Sequence, residues 1–276
     1  MLDAYITAMN TQYASASMLN EISENMMNAY TPGYKEKSFQ FKTFLNGAAA
    51  ETYTDVRKQG KAIPGAADEN LYIEGKGYFV LRNKNGKTAY TRLGDFKFDG
   101  NGVLKSKDGQ AVQGWLVNEK SEIMNGVKAQ DASSFIGADF KTSGIPLSDI
   151  KLWIDPDNGK YLGRYEEFEI KDDGILYGKA DKGKIKTPLY KIAAVNFNNP
   201  RGLFEIKSGQ YIETEESGNS IISNAQVRGK TLEQSSVDFT LASNLYQKLQ
   251  FQLSAADMMS KSQRQLLEQV MGLMGQ

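Results

Sequence analysis

The residue types behind most enzyme and metal chemistry are missing. The 276 residues include no histidine and no cysteine. Serine–histidine triads, imidazole metal ligands, thiolate nucleophiles and disulfides are excluded by composition alone. Carboxylates, lysines and tyrosines remain. Glu166-Glu167 and Asp172-Asp173 are acidic pairs of the kind a glycosidase uses, but neighbours on a strand point to opposite faces. Asp155-Pro156-Asp157-Asn158-Gly159, with Glu166 beyond it, sets acids at positions 1, 3 and 12 of a calcium loop. Lys160 then stands where that loop needs glycine, so a plain turn explains the segment better. Gly75-Lys76-Gly77 lacks the lysine–hydroxyl pair and the strand-to-helix setting of a phosphate loop, and reads as a β-turn. The expectation is no enzyme, no metal and no cofactor.

Bulk properties narrow the partners. There are 33 basic and 33 acidic residues. A nucleic-acid binder would carry a basic excess, so none is expected. No run approaches the roughly 20 apolar residues of a membrane span, and membrane insertion is not expected. The start has no charged residues followed by an apolar core, so ordinary signal-directed secretion is not expected. Export by a specialised route without a cleaved signal stays open.

Both ends differ from the middle. No glycine or proline occurs from Leu2 to Tyr30. Leu2, Tyr5, Met9, Ala16, Leu19, Met26 and Tyr30 follow a 3-4-3-4 spacing, with Gln12 and Ser23 in two of its slots. That is a helix with one apolar stripe, stopped by Thr31-Pro32-Gly33. From Val237 to Met274 the same spacing picks out Phe239, Ala242, Tyr246, Leu249, Leu253, Ala256, Leu267, Val270 and Met274. A second file, Leu245, Met259, Leu266 and Leu273, lies beside it. This reads as a long amphipathic helix with coiled-coil character, with Asp238 near its start as a cap. Between the ends, β-rich segments such as Leu71–Ile73, Tyr78–Arg82, Leu189–Phe197 and Leu203–Ile206 alternate with Asn-Gly and Asp-Gly turns. The fold class expected is α+β: a mostly antiparallel β domain with N- and C-terminal helices pairing as a coiled-coil-like bundle. The plainer alternative is two helices packed on a β domain. Narrow stripes on termini rich in Met, Gln, Ser and Asn favour helices that bury their seams on assembly.

Several motifs then occur in order. Asn25-Met26-Met27-Asn28-Ala29-Tyr30-Thr31-Pro32-Gly33-Tyr34-Lys35 comes first. Next are Leu71-Tyr72-Ile73-Glu74-Gly75-Lys76-Gly77-Tyr78-Phe79-Val80 and Tyr90-Thr91-Arg92-Leu93-Gly94-Asp95-Phe96. Asp99-Gly100-Asn101-Gly102-Val103-Leu104 and Asp108-Gly109-Gln110-Ala111-Val112-Gln113-Gly114 follow. The last is Gly229-Lys230-Thr231-Leu232-Glu233-Gln234-Ser235-Ser236-Val237-Asp238. This succession resembles flagellar basal-body rod and hook proteins, over roughly residues 1–116 and 185–276. Ser236 departs from the family's asparagine. The family's acidic pair and Gln-Arg-x-Tyr stretch are largely absent from the last helix, with Gln250 in place.

The resemblance implies a structural axial subunit of the flagellar rod, exported by the flagellar type III apparatus and located in the periplasm-spanning basal body. Its partners would be copies of itself and other rod and hook subunits. Leu2, Tyr5, Met9, Leu19, Met26, Phe239, Tyr246, Leu249, Leu253, Leu267 and Val270 would carry assembly. Asn25, Asn28, Pro32, Gly33 and Tyr34 would set the register and the turn, although the asparagines also read as surface polar residues. Residues 1–36 and 232–276 would form the terminal helical domain, 37–70 and 210–231 connections, 71–116 and 165–209 the β domain, and 117–164 an inserted lobe. The short stretch between Leu45 and Leu71 leans towards a proximal rod subunit. A hook-type axial protein is the near alternative. A monomeric extracellular β-domain adhesin is the alternative from another class.

Overall fold

Two long helices and many short strands make up the chain in this computed structural model, which describes residues 2–44, 47–54, 58–126, 128–141, 143–152, 167–180, 182–207 and 209–274. The calcium-like segment and Trp153 lie outside the described residues. The chain divides into two compact units. The first holds Met1–Tyr30, Lys35–Asp55 and Ser236–Gln276; the second holds Thr31–Tyr34 and Val56–Ser235.

The first unit contains helix α1 (Leu2–Met27), strands β1 (Lys37–Phe44) and β2 (Gly47–Thr54), and helix α2 (Phe239–Met274). The strands pair antiparallel from Lys37 opposite Thr54 to Phe44 opposite Gly47. The sequence reading treated 37–70 as a connection. The first strand there had a visible signal: Phe39 and Phe41 alternate with polar residues. The core joins Met18 and Ile22 of α1 to Ala242 and Leu249 of α2, with Leu19, Met26, Phe39, Val237, Leu245 and Tyr246 packed around them. Further along, Met9, Gln12 and Tyr13 line a groove with Leu253, Ser254 and Asp257. The helices therefore run antiparallel.

The stripe on α1 needs correction. Its most buried side chains are Ala14, Ser15, Met18, Ile22 and Asn25, whereas Ala16 is exposed and Met9, Leu19 and Met26 are half-buried. The inward file sits about one residue from the one the spacing gave, because both α2 and the hairpin cover α1. The helix also ends at Met27, leaving Tyr30 84% exposed.

The second unit contains β3 (Ala62–Pro64), β4 (Leu71–Glu74), β5 (Tyr78–Arg82), β6 (Thr88–Thr91), β7 (Phe96–Phe98), β8 (Leu104–Ser106) and β9 (Ala111–Leu116). It continues with β10 (Ile123–Asn125), β11 (Lys128–Gln130), β12 (Ser148–Asp149), β13 (Glu167–Ile170), β14 (Ile175–Ala180), β15 (Ile185–Ile192) and β16 (Ala194–Phe197). It closes with β17 (Phe204–Lys207), β18 (Gln210–Ile212), β19 (Ser220–Ile222), β20 (Gln226–Gly229) and β21 (Thr231–Glu233). Every pairing among the described residues is antiparallel. The main sheet runs β13-β14-β15-β9-β5-β6-β18-β17, with shorter strands attached to β9, β5, β16 and β8. Two further ladders, β20–β4 and β21–β3, carry the ends of the unit.

Strand β5 shows why the sheet forms here. Tyr78 and Val80 face one core while Phe79 and Leu81 face another. A strand covered on both faces reads as an unbroken apolar run. Fully burying Phe79 contributes about 1.5–3 kcal/mol. Residues 117–152 do not stand apart from the sheet: Ile123, Phe135, Phe140 and Ile145 share the core of Tyr78, Val80 and Trp115. Residues 210–231 likewise supply strands β18, β19 and β20 instead of serving only as a connection.

Candidate structural junction and assembly surface

The dispersed motifs meet at one buried ion pair. Arg92 follows β6, and its Nε donates to Glu233 Oε2 at 3.0 Å. Both side chains are nearly inaccessible, at 5% and 2% exposure. Arg92 Nη1 also donates to the carbonyls of Gly75 (2.8 Å) and Gly77 (2.6 Å), and Nη2 to that of Ile73 at 3.3 Å. The Gly-Lys-Gly turn therefore presents carbonyl oxygens to a cation, the opposite polarity from a phosphate cradle. Glu233 accepts the Gly60 amide on Oε1 at 2.8 Å, and its backbone carbonyl accepts the Gly33 amide at 2.6 Å. Gly33 has φ +73°, and a Cβ there would lie 2.6 Å from the Arg92 carbonyl oxygen. Only glycine fits that corner.

The surroundings exclude water. Tyr34, Tyr78 and Tyr211 are buried. Burial pushes the Tyr78 and Tyr211 phenols upward. Asn70 accepts the Ala67 amide and donates to Asp95 at 3.2 Å. Gln59 donates to Tyr72 Oη and the Ile73 carbonyl while accepting the Gly75 amide. Motifs around residues 31, 71, 92 and 233 thus close on one another. Sequence reasoning quoted Arg92 and Glu233 inside motifs but did not single them out.

In the first unit, Asn25 is buried and grips the backbone of Lys37: its Nδ2 donates to the Lys37 carbonyl at 2.7 Å and its Oδ1 accepts the Lys37 amide at 2.9 Å. Lys37 Nζ in turn pairs with Glu24 at 2.8 Å and Glu21 at 3.4 Å. Asn25 is therefore not a surface polar residue; it fixes where β1 begins against α1. Asn28 is half-buried and donates to the Glu24 carbonyl, a local bond within the helix end. Asn25→Ala strands a backbone donor and acceptor, and a loss of about 1–3 kcal/mol is expected. Thermal unfolding followed by far-UV circular dichroism measures it. Ser236 accepts the Glu36 amide at 2.8 Å, and Asp238 caps α2 by accepting the Leu241 amide at 3.0 Å.

The sites read from the stripes are distributed unevenly. Leu249 is 2% exposed, while Tyr246 and Leu253 are half-buried against α1. Phe239 lies partly exposed with its ring centroid 6.2 Å from that of Tyr30. Val270 is exposed. Pro32 is half-buried. The side chains of Leu2, Tyr5 and Leu267 lie outside the described residues. Beyond Ala256 no described side chain of α2 is buried. Phe251, Met258, Met259, Leu266, Met271 and Leu273 form apolar surface with no cover, Phe251 and Leu273 each at 77% exposure. No described helix is long and apolar enough to cross a membrane.

Residues 72–178 match the family described as the flagellar hook protein FlgE/F/G D1 domain. Over this span the chain is similar to flagellar rod and hook proteins. The flagellar hook protein FlgE of Brucella abortus is 34% identical over 124 residues, covering 41% of this chain and 31% of that protein. The flagellar basal-body rod protein FlgG of Caulobacter vibrioides is 26% identical over 137 residues, covering 41% of this chain and 52% of that protein. The matched part thus spans about a third of the hook relative and half of the rod relative. The crystal structure of the Helicobacter pylori hook protein FlgE2 aligns over 62% of this chain and all of that one, at 11% identity and a TM-score of 0.40. The matched span includes Arg92 and its carbonyl partners; Glu233 reaches it from outside that span.

Proposed function

We propose that the chain is a structural axial subunit of the flagellar rod that assembles helically with copies of itself and with other rod and hook subunits. In this reading the terminal helices build the wall of the export channel and the β unit forms the outer layer that transmits torque. The type III apparatus would deliver the chain, and the assembled rod would span the periplasm within the basal body. The residues proposed for the intersubunit seam are those of both stripes, including Leu2, Tyr5, Leu267 and Val270. One observation carries the reading: α2 buries Ala242 and Leu249 on α1 but leaves a second apolar file, from Phe251 to Leu273, exposed. A helix with two apolar files needs two partners. A hook position is the second reading, supported by the FlgE names of several relatives.

The triple variant Phe251→Asp, Met258→Asp, Leu273→Asp tests the seam. Each apolar side chain seated in an interface contributes about 1.5–3 kcal/mol. The variant should fold as a monomer with unchanged helix content, yet fail to restore swimming in soft agar to a deletion strain. Full swimming would place assembly elsewhere.

A further inference from the structure

The β unit holds a cleft of about 310 Å³ that its packing does not use. Its apolar wall includes Trp115, Ile192, Ile222 and Val227, all buried. Lys191, on β15 opposite Trp115, lines the cleft with its side chain half-buried. Among the described residues its ammonium makes no hydrogen bond or ion pair, and the charges that act on it are those of Asp173 and Asp131. A half-buried cation facing carboxylates in a cleft marks a candidate site. Asp131, Asp172 and Asp173 line the same cleft.

Two of these carboxylates are set in place by the fold. Asp173 Oδ1 accepts the Ile175 amide at 2.9 Å, and Oδ2 accepts the Tyr177 hydroxyl at 3.2 Å. Asp131 Oδ1 accepts the Ser133 amide at 3.0 Å, where it caps a short 3₁₀ turn. Each keeps lone pairs for a further donor. Burial lowers the affinity of Lys191 for its proton, while the charges of Asp173 and Asp131 act against that. The cleft therefore combines one cationic group, fixed anionic groups and an apolar wall, at the small end of the ligand-pocket range of roughly 300–1,000 Å³. Among the described residues no group of acids is arranged to hold a metal ion.

We propose that this cleft binds a small zwitterion of the α-amino acid class, with Lys191 holding the ligand carboxylate, Asp131 and Asp173 holding its ammonium, and the Trp115–Ile192 wall taking an aliphatic side chain. A simple anion would face the aspartates, and a simple amine would face Lys191; only a ligand with both charges satisfies both walls. The site is independent of the assembly reading.

Isothermal titration calorimetry of the full chain with L-valine, isovalerate and isobutylamine tests it, since each analogue lacks one charge. L-valine should bind saturably, with both analogues at least about tenfold weaker, or about 1.4 kcal/mol. Lys191→Met and Asp173→Asn should each weaken L-valine by about tenfold with an unchanged unfolding midpoint. Absence of saturable heat with L-valine, glycine and L-alanine overturns the proposal. So does an analogue that matches L-valine, or undiminished binding by both variants. If Lys191→Met does not fold, amide chemical shifts of the unaltered protein decide: L-valine should move Ser133, Gly174 and Asn224, and shifts confined elsewhere reject the site.

Discussion

Replacing Arg92 with methionine should cost about 3–5 kcal/mol of stability in the β unit. Removing one partner of a buried pair leaves the other charge uncompensated. Here the loss is compounded, because Arg92 also satisfies the carbonyls of Ile73, Gly75 and Gly77. Glu233→Gln should cost less, since the amide oxygen can still accept from Gly60. The double variant Arg92→Met, Glu233→Leu should regain part of the loss but not all of it, because the stranded carbonyls and the Gly60 amide remain. Trp115 is buried in the core of this unit, so urea unfolding followed by tryptophan fluorescence reads it directly. A cost below about 1 kcal/mol for Arg92→Met, the range of an exposed pair, would show that the junction does not hold the motifs together.

The second large effect is expected at Gly94. A Cβ built there lies 1.7 Å from the carbonyl oxygen of Leu71. The obstacle is backbone, and it is tied down: the Leu71 amide donates to the Gly94 carbonyl at 2.9 Å, and β4 is paired along its length with β20. Gly94→Ala must therefore push a whole ladder aside, at a cost of about 3 kcal/mol or more, the upper end for overpacking. Gly86→Ala is the matched control. Gly86 sits in a turn at φ +78° with open space around it, so only backbone strain of about 1 kcal/mol is expected. Equal costs by urea unfolding would mean that conformational freedom, and not close approach, explains both glycines.

Legibility varied with the range of the interaction. Helices α1 and α2 were plain because their spacing and the lack of early breakers are local properties. The alternating strands and their Asn-Gly and Asp-Gly turns were equally local. The face of α1 was misjudged by one position because the β1–β2 hairpin covers it, and that contact lies outside any helical window. The spacing left Asn25 open between a register-setting and a surface role, because its partner is a backbone twelve residues away. The Arg92–Glu233 pair spans 141 residues, a separation at which spacing carries no signal. Its components were visible only as motifs in order. Residues 117–152 looked like a separate lobe because they matched no motif, yet Phe135, Phe140 and Ile145 complete the sheet's core.

Electron microscopy of basal bodies from cells lacking this gene, beside complemented cells, tests the central claim most directly. An axial subunit predicts inner-membrane rings without a completed rod, hook and filament, restored on complementation, with the point of arrest locating the subunit along the shaft. Complete flagella in the deletion strain would contradict the axial assignment.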